Sequence, residues 1–205
     1  MYHDAGTGAS EGALTGGKAD EGTSLDDLRS RINTRAKFPH PMACFARVVL
    51  GGTFDFLHKG HRLLLDTAFR VGDWVTIGLT TDDFLKDRKR AAHDFAERRS
   101  CLEAYLERMG FKGRYEIVPI WDPVGPAIGD YDAIVVSEET IAGASAVDEA
   151  RVKAGKGKLI KVVVPLVLAY DKKPISSSRI RAGEIDAEGK KLERPNLRQN
   201  RHRRL

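Results

Sequence analysis

Residues 45–61 constrain this chain more than any other stretch. The apolar run Phe45-Ala46-Arg47-Val48-Val49-Leu50 leads directly into Gly51-Gly52-Thr53-Phe54-Asp55-Phe56-Leu57-His58-Lys59-Gly60-His61. A short β-branched run reads as a buried strand, and the two glycines after it predict a tight turn where a ligand comes close. Leu63, Leu64, Leu65, Ala68 and Phe69 then recur at helical spacing, so a helix opens near Gly60. His58 and His61 fall at its N-terminus, where unpaired N–H groups and the helix dipole favour anions. Gly60 between them is expected to let a phosphate approach the backbone, and Thr53 supplies a hydroxyl at the strand end. Strand, turn, paired imidazoles and helix N-terminus describe a site for a nucleoside triphosphate.

Beyond this segment the pattern alternates. Strands are predicted at 48–50, 74–79, 115–120, 133–136 and 159–164, with helices at 61–70, 95–109 and about 140–154 and a short one after Ser176. Phe95, Arg99, Leu102, Tyr105, Leu106 and Met109 form the apolar-spaced stripe of the second helix, and Gly110 follows as a stop signal. Strands alternating with helices predict an α/β fold: a single domain with a Rossmann-like, doubly wound, parallel five-stranded sheet and flexible ends. Ligands of such folds bind beyond the carboxyl ends of the strands. Segments 51–61, 80–90, 121–126, 137–143 and 165–178 all fall there.

The ends carry different signals. Residues 1–41 hold six glycines within the first 22 positions and offer almost no large apolar side chain before Leu25, which predicts a flexible extension. Met42, directly before the first strand, is a candidate natural start. Residues 42–187 are then the folded domain and 188–205 a basic tail. That tail has seven basic against two acidic residues, which accounts for the whole formal charge of +5. It lacks interleaved aromatics, so no specific nucleic acid is expected. No apolar run approaches the ~20 residues that cross a bilayer, so no membrane partner is expected. Cys44 and Cys101 lack paired or metal-ligand spacing and read as reduced thiols in a cytoplasmic protein. Patterning leaves the oligomeric state open.

A second motif lies about 115 residues after the first: Pro174-Ile175-Ser176-Ser177-Ser178-Arg179-Ile180-Arg181. Together with His58-Lys59-Gly60-His61 it resembles the paired signatures of the nucleotidylyltransferase superfamily. Gly51-Gly52-Thr53-Phe54-Asp55, 121–126 and 136–140 are similar to the archaeal and eukaryotic-type phosphopantetheine adenylyltransferases, over roughly residues 45–186. That resemblance implies transfer of the adenylyl group of ATP to 4′-phosphopantetheine, with Mg²⁺ accompanying ATP and no covalent intermediate. Another nucleotidylyltransferase, of FAD synthetase or glycerol-3-phosphate cytidylyltransferase type, stays open as an alternative. So does a non-catalytic protein that binds nucleotide or nucleic acid.

By resemblance, His61 and His58 are the catalytic pair at the triphosphate, and Lys86 bridges the two reacting phosphates, with Arg88, Lys89 and Arg90 as neighbours of the same charge. Gly51, Gly52, Thr53 and Phe54 belong to the phosphate-binding strand end, where Gly52 and Thr53 would hold the acceptor phosphate. Ser176 caps a helix after Pro174. Ser177, Ser178 and Arg179 are expected to add donors for the β- and γ-phosphates, since two arginines in a first turn fit a polyphosphate better than a bare dipole. Asp122 either binds the acceptor or caps its own turn. Ser137, Glu139 and Thr140 either close over the nucleotide or cap a helix, and Asp171 shapes a turn. No protein metal site is expected, because an i, i+3 histidine pair has no third ligand nearby.

Overall fold

The structure, a computed structural model, describes residues 43–86 and 91–193. The expectations for residues 1–41, Met42, Arg88, Lys89, Arg90 and the arginine-rich end from Arg194 lie outside these residues.

Five strands form: β1 (Phe45–Gly52), β2 (Gly72–Thr80), β3 (Tyr115–Ile120), β4 (Ala133–Ser137) and β5 (Ile160–Val164). They pair in the order β3-β2-β1-β4-β5, and every pair is parallel. The helices are α1 (Lys59–Val71), α2 (Asp82–Leu85), α3 (Phe95–Arg108), α4 (Ile141–Lys153) and α5 (Ser177–Arg181), with a 3₁₀ turn at Gly125–Ile128. Alternate β1 side chains serve two cores. Val48 and Leu50 pack with Leu65 and Phe69 of α1 and with Leu102 and Leu106 of α3. Val49 faces Ala127 of the 3₁₀ turn and Ala144 and Val147 of α4. A sheet buried on both faces needs apolar residues at consecutive positions, which is why β1 and β4 read as unbroken apolar runs. Chain order reverses between β1 and β4, and at such a switch point the loops diverge and leave a crevice.

The α3 stripe differs from the expected one. Arg98 is buried at 1% exposure, whereas Arg99 lies outside and pairs with Glu103. The capping box of Asp94 and Glu97 sets where α3 starts, and so which arginine faces inward. The C-terminal boundary also moves. Residues 185–192 hydrogen-bond back onto the body through Tyr170 N–H to Gly189 O and Lys59 N–H to Ala187 O, and close on themselves through Asp186 N–H to Lys190 O. The folded unit therefore runs past the 187/188 boundary that charge alone suggested, because a charge run carries no information about backbone pairing.

Candidate active site

Gly51 and Gly52 do not make the turn. They are the last residues of β1, and neither has a positive φ. Their lack of a side chain makes room instead. A Cβ on Gly51 would stand 3.0 Å from Ile120 Cδ1, and one on Gly52 would stand 3.0 Å from the Phe54 ring. The chain turns at Phe54 and Phe56, both with φ of 49°. Left-handed backbone at a non-glycine residue costs about 1–3 kcal/mol and persists only where packing enforces it. Phe54 meets that condition: its ring is buried against Gly52 and lies 5.1 Å from the His61 ring.

His58 is the N-cap of α1, and its Nδ1 accepts the His61 backbone N–H at 3.4 Å. That bond places the His58 proton on Nε2, the nitrogen away from the helix. The two imidazoles stack at 3.8 Å between centroids. Gly60 permits this, since a Cβ there would stand 3.1 Å from His58 Cε1. The missing side chain at Gly60 thus makes room for an imidazole, and Gly60 itself lines the first of the two cavities described below.

A polar network beneath these residues was not read from the sequence. The Arg98 guanidinium donates to Thr53 O at 2.8 Å, His93 O at 3.1 Å, Thr80 Oγ1 at 3.4 Å and the Asp82 carboxylate at 2.7 Å. It ties the ends of β1 and β2 to the start of α3. Burial works against the Asp82 carboxylate, but the Phe95 N–H and the Arg98 guanidinium hold its pKa below the ordinary value. Asp55, 2% exposed, accepts the Ala92 N–H at 2.9 Å and faces His93 Nδ1 at 2.7 Å, with the Arg181 guanidinium 4.0 Å away. One signal for Arg98 did exist: it sits three residues after Phe95 and four before Leu102, an arginine on an apolar stripe.

The second motif joins the first here. Ile175 is buried, Ser176 caps α5 by accepting the Arg179 N–H, and the Ser177 hydroxyl donates to the Asp55 carbonyl. The Ser177 hydroxyl thus joins the two motifs, and its residue also lines the first of the two cavities described below. Arg179 is engaged by Asp171 at 2.6 Å and Glu184 at 2.9 Å and donates to Pro174 O, and these carboxylates, Glu184 foremost, raise its pKa. Ser178 is exposed on α5. Lys86 is exposed and pairs with Asp83.

Two cavities open at the carboxyl ends of the strands. The first, of about 330 Å³, is lined by Gly51, Gly52, Thr53, Phe54, His58, His61, Ser137, Glu139, Thr140, Ser176 and Ser177, together with apolar residues of 164–167. The second, of about 200 Å³, is mainly apolar, walled by Ile120, Val124, Ala127, Ile134, Val136, Ala144 and Val147. The two meet at Gly51, Gly52 and Thr140. Asp122 borders the second cavity but spends its carboxylate on the Val124 and Gly125 N–H groups at 2.8 Å, capping its turn. Thr140 Oγ1 accepts the Ser137 N–H at 3.0 Å, closing the loop over the shared edge. Lys86, Ser178 and Arg179 line neither cavity. Behind the apolar cavity, buried Arg151 donates to Ala127 O at 2.6 Å and Gly129 O at 2.7 Å, which holds the 3₁₀ turn in place.

Residues 49–183, which span the sheet, the histidines at the first helix and the serines at the last, match the cytidylyltransferase-like family. The phosphopantetheine adenylyltransferase of Methanopyrus kandleri is 46% identical over 149 residues, covering 71% of this chain and 94% of that protein. The Pyrococcus abyssi phosphopantetheine adenylyltransferase is 43% identical over 157 residues, covering 75% of this chain and 99% of that protein. A crystal structure of an Archaeoglobus fulgidus protein described as of unknown function superposes with a TM-score of 0.54 at 39% identity, covering 58% of this chain and 88% of that one. The chain belongs to the phosphopantetheine adenylyltransferase family.

Proposed function

We propose that this protein transfers the adenylyl group of ATP to 4′-phosphopantetheine, releasing pyrophosphate and forming dephospho-coenzyme A. The observation that carries the reading is the pair of cavities meeting at the β1 end, one polar with both histidines and one apolar. ATP occupies the first, its triphosphate against His58, His61 and the α1 N-terminus. The acceptor's pantetheine arm occupies the second, its dimethyl and methylene groups against the apolar wall, so that its phosphate reaches Gly52 and Thr53 where the cavities join. A phosphate oxygen of the acceptor attacks the α-phosphorus in line, a P–O bond forms, and the bond to the β-phosphate breaks as pyrophosphate leaves. Holding two anions in that geometry supplies much of the rate, and the imidazoles meet the charge that develops. Magnesium enters on the phosphates of ATP as part of the substrate. Lys86 is the lysine proposed to bridge the phosphates, and the cytoplasm the proposed compartment. No helix among the described residues is long and apolar enough to cross a membrane.

The test is a matrix of ATP or CTP with 4′-phosphopantetheine, FMN, glycerol-3-phosphate and no acceptor, read as pyrophosphate release. Rapid release is expected only from ATP with 4′-phosphopantetheine. Release with FMN or glycerol-3-phosphate overturns the acceptor and keeps the reaction class, while silence in every well overturns catalysis.

A further inference from the structure

Residues 188–190 read as the start of a basic tail, yet they belong to a turn, 185–190, that touches both signature motifs. Ile185 is fully buried and forms a small third core with Ala169 and Ile175, the residue just before Ser176. From there the Ala187 carbonyl accepts the backbone N–H of Lys59 at 2.9 Å. Lys59 is the first residue of α1 and lies between His58 and Gly60. Glu188 pairs with Arg62 one turn along the same helix, and Arg62 also donates to Leu57 O. Gly189 closes the turn with φ of 81°, its N–H donating to Asp186 O and its carbonyl accepting the Tyr170 N–H. A Cβ there would stand 2.6 Å from Ile175 Cδ1 and 3.0 Å from Ala169 Cα.

Anchored on the third core at one end, the turn reaches the first backbone N–H of α1 at the other. The N-terminal turn of a helix is ordinarily its loosest part, with N–H groups that need partners from outside. Here one of those partners comes from a segment packed directly on Ile175. The path from Ser176 through Ile175, Ile185 and Ala187 to Lys59 is short and wholly buried or hydrogen-bonded. It runs parallel to the direct links to Asp55, from the Ser177 hydroxyl to its carbonyl and from the Arg181 guanidinium to its carboxylate.

We propose that the 185–190 turn is a positioning element for adenylyl transfer: through Ala187 and Glu188 it sets α1, and with it the His58–His61 pair, relative to Ser176 and Ser177. Gly189 is its positioning residue and touches no substrate. The inference rests on the proposed reaction, in which the two motifs grip one triphosphate from two sides. Displacement of such groups by about an ångström costs up to ~10²-fold in rate.

The test is a double-mutant cycle in the full-length chain, with His61→Ala as the second change. Alone, Gly189→Ala is expected to lower kcat tenfold or more, toward the ~10²-fold that misplacement costs, with a smaller change in KM for ATP. In the His61→Ala background it should lower kcat less than threefold, because the imidazole that meets the developing charge, of the two it positions, is gone. Equal losses in both backgrounds would mean a general structural role and overturn the proposal. Glu188→Ala spares the backbone and should lower kcat about two- to fivefold, as expected of a half-exposed ion pair. Reversing the pair with Arg62→Glu and Glu188→Arg together should recover most of that loss, and failure to recover it counts against the proposal. The Hε1–Cε1 NMR resonances of His58 and His61 give a readout free of catalysis. They should shift in Gly189→Ala, and unmoved resonances overturn the proposal whether or not the wild type turns over. Loss of wild-type pyrophosphate release with shifted resonances would instead strike the reaction and leave the positioning intact.

Discussion

The two halves of the site are built by opposite means. The half at β1, α1 and α3 is polar, and its parts are tied across long stretches of sequence: Arg98 reaches Thr53, Thr80, Asp82 and His93, while Asp55 reaches Ala92 and His93. The half at the 3₁₀ turn, β4 and α4 is an apolar mould whose polar support, Arg151, stays behind the wall and holds carbonyls. The difference follows from what each half must do. Groups that meet developing charge have to be oriented in advance, and hydrogen bonds with direction do that. A mould for the acceptor's arm is set first by volume, which small side chains such as Ala127 and Ala144 leave open.

Removing the buried guanidinium should break the contrast most severely. Arg98→Ala strips partners from Thr53 O, His93 O and Asp82 and is expected to cost about 1–3 kcal/mol of stability for the buried acceptors left unpaired. Urea unfolding measures this, and a cost below about 1 kcal/mol would show that the polar half is held by something else. Arg151→Ala sharpens the comparison, because it should raise KM for the acceptor and leave KM for ATP near the wild-type value.

Next comes His61→Ala. A donor aimed at transition-state charge is worth about 10²–10³ in kcat, so kcat should fall by that factor with ATP affinity little changed. Equilibrium binding of ATP beside steady-state rates separates the two, and an unaltered kcat would reduce His61 to a packing partner of Phe54.

Ala144→Leu probes the apolar half. Ala144 is 2% exposed on the cavity wall, and the added side chain should raise KM for 4′-phosphopantetheine about tenfold while sparing KM for ATP. Equal rises in both constants would erase the division of labour between the cavities.

Acid gives the smallest effect. The Asp82 carboxylate has its pKa lowered from 3.8, so its pairing with Arg98 contributes fully above that value and fades as pH falls through the depressed one. Asp82 is half exposed, and screening keeps the contribution modest. Melting temperature followed from about pH 5 to about pH 3 should fall more steeply in the wild type than in Asp82→Asn. Matching slopes would mean that the pair adds no pH-dependent stability.

Much of this was legible in the linear sequence. Unbroken apolar runs alternating with amphipathic ones determined a parallel sheet layered on both faces. His58-Lys59-Gly60-His61 and Ser176-Ser177-Ser178 announced the two ends of the site, because strand, cap and helix-start signals are local and lie within a few residues of one another. Tertiary structure alone decided the rest. Whether Arg98 or Arg99 turns inward depends on where the Asp94 cap starts α3. Where the Ser177 hydroxyl finds its partner, and whether residues 188–190 are tail or turn, depends on groups up to 128 positions away in the chain. Periodicity reports which face of an element is apolar, but a hydrogen bond between distant segments leaves no periodic trace, so the partners of Arg98, Asp55 and Ala187 emerge only when the chain is folded.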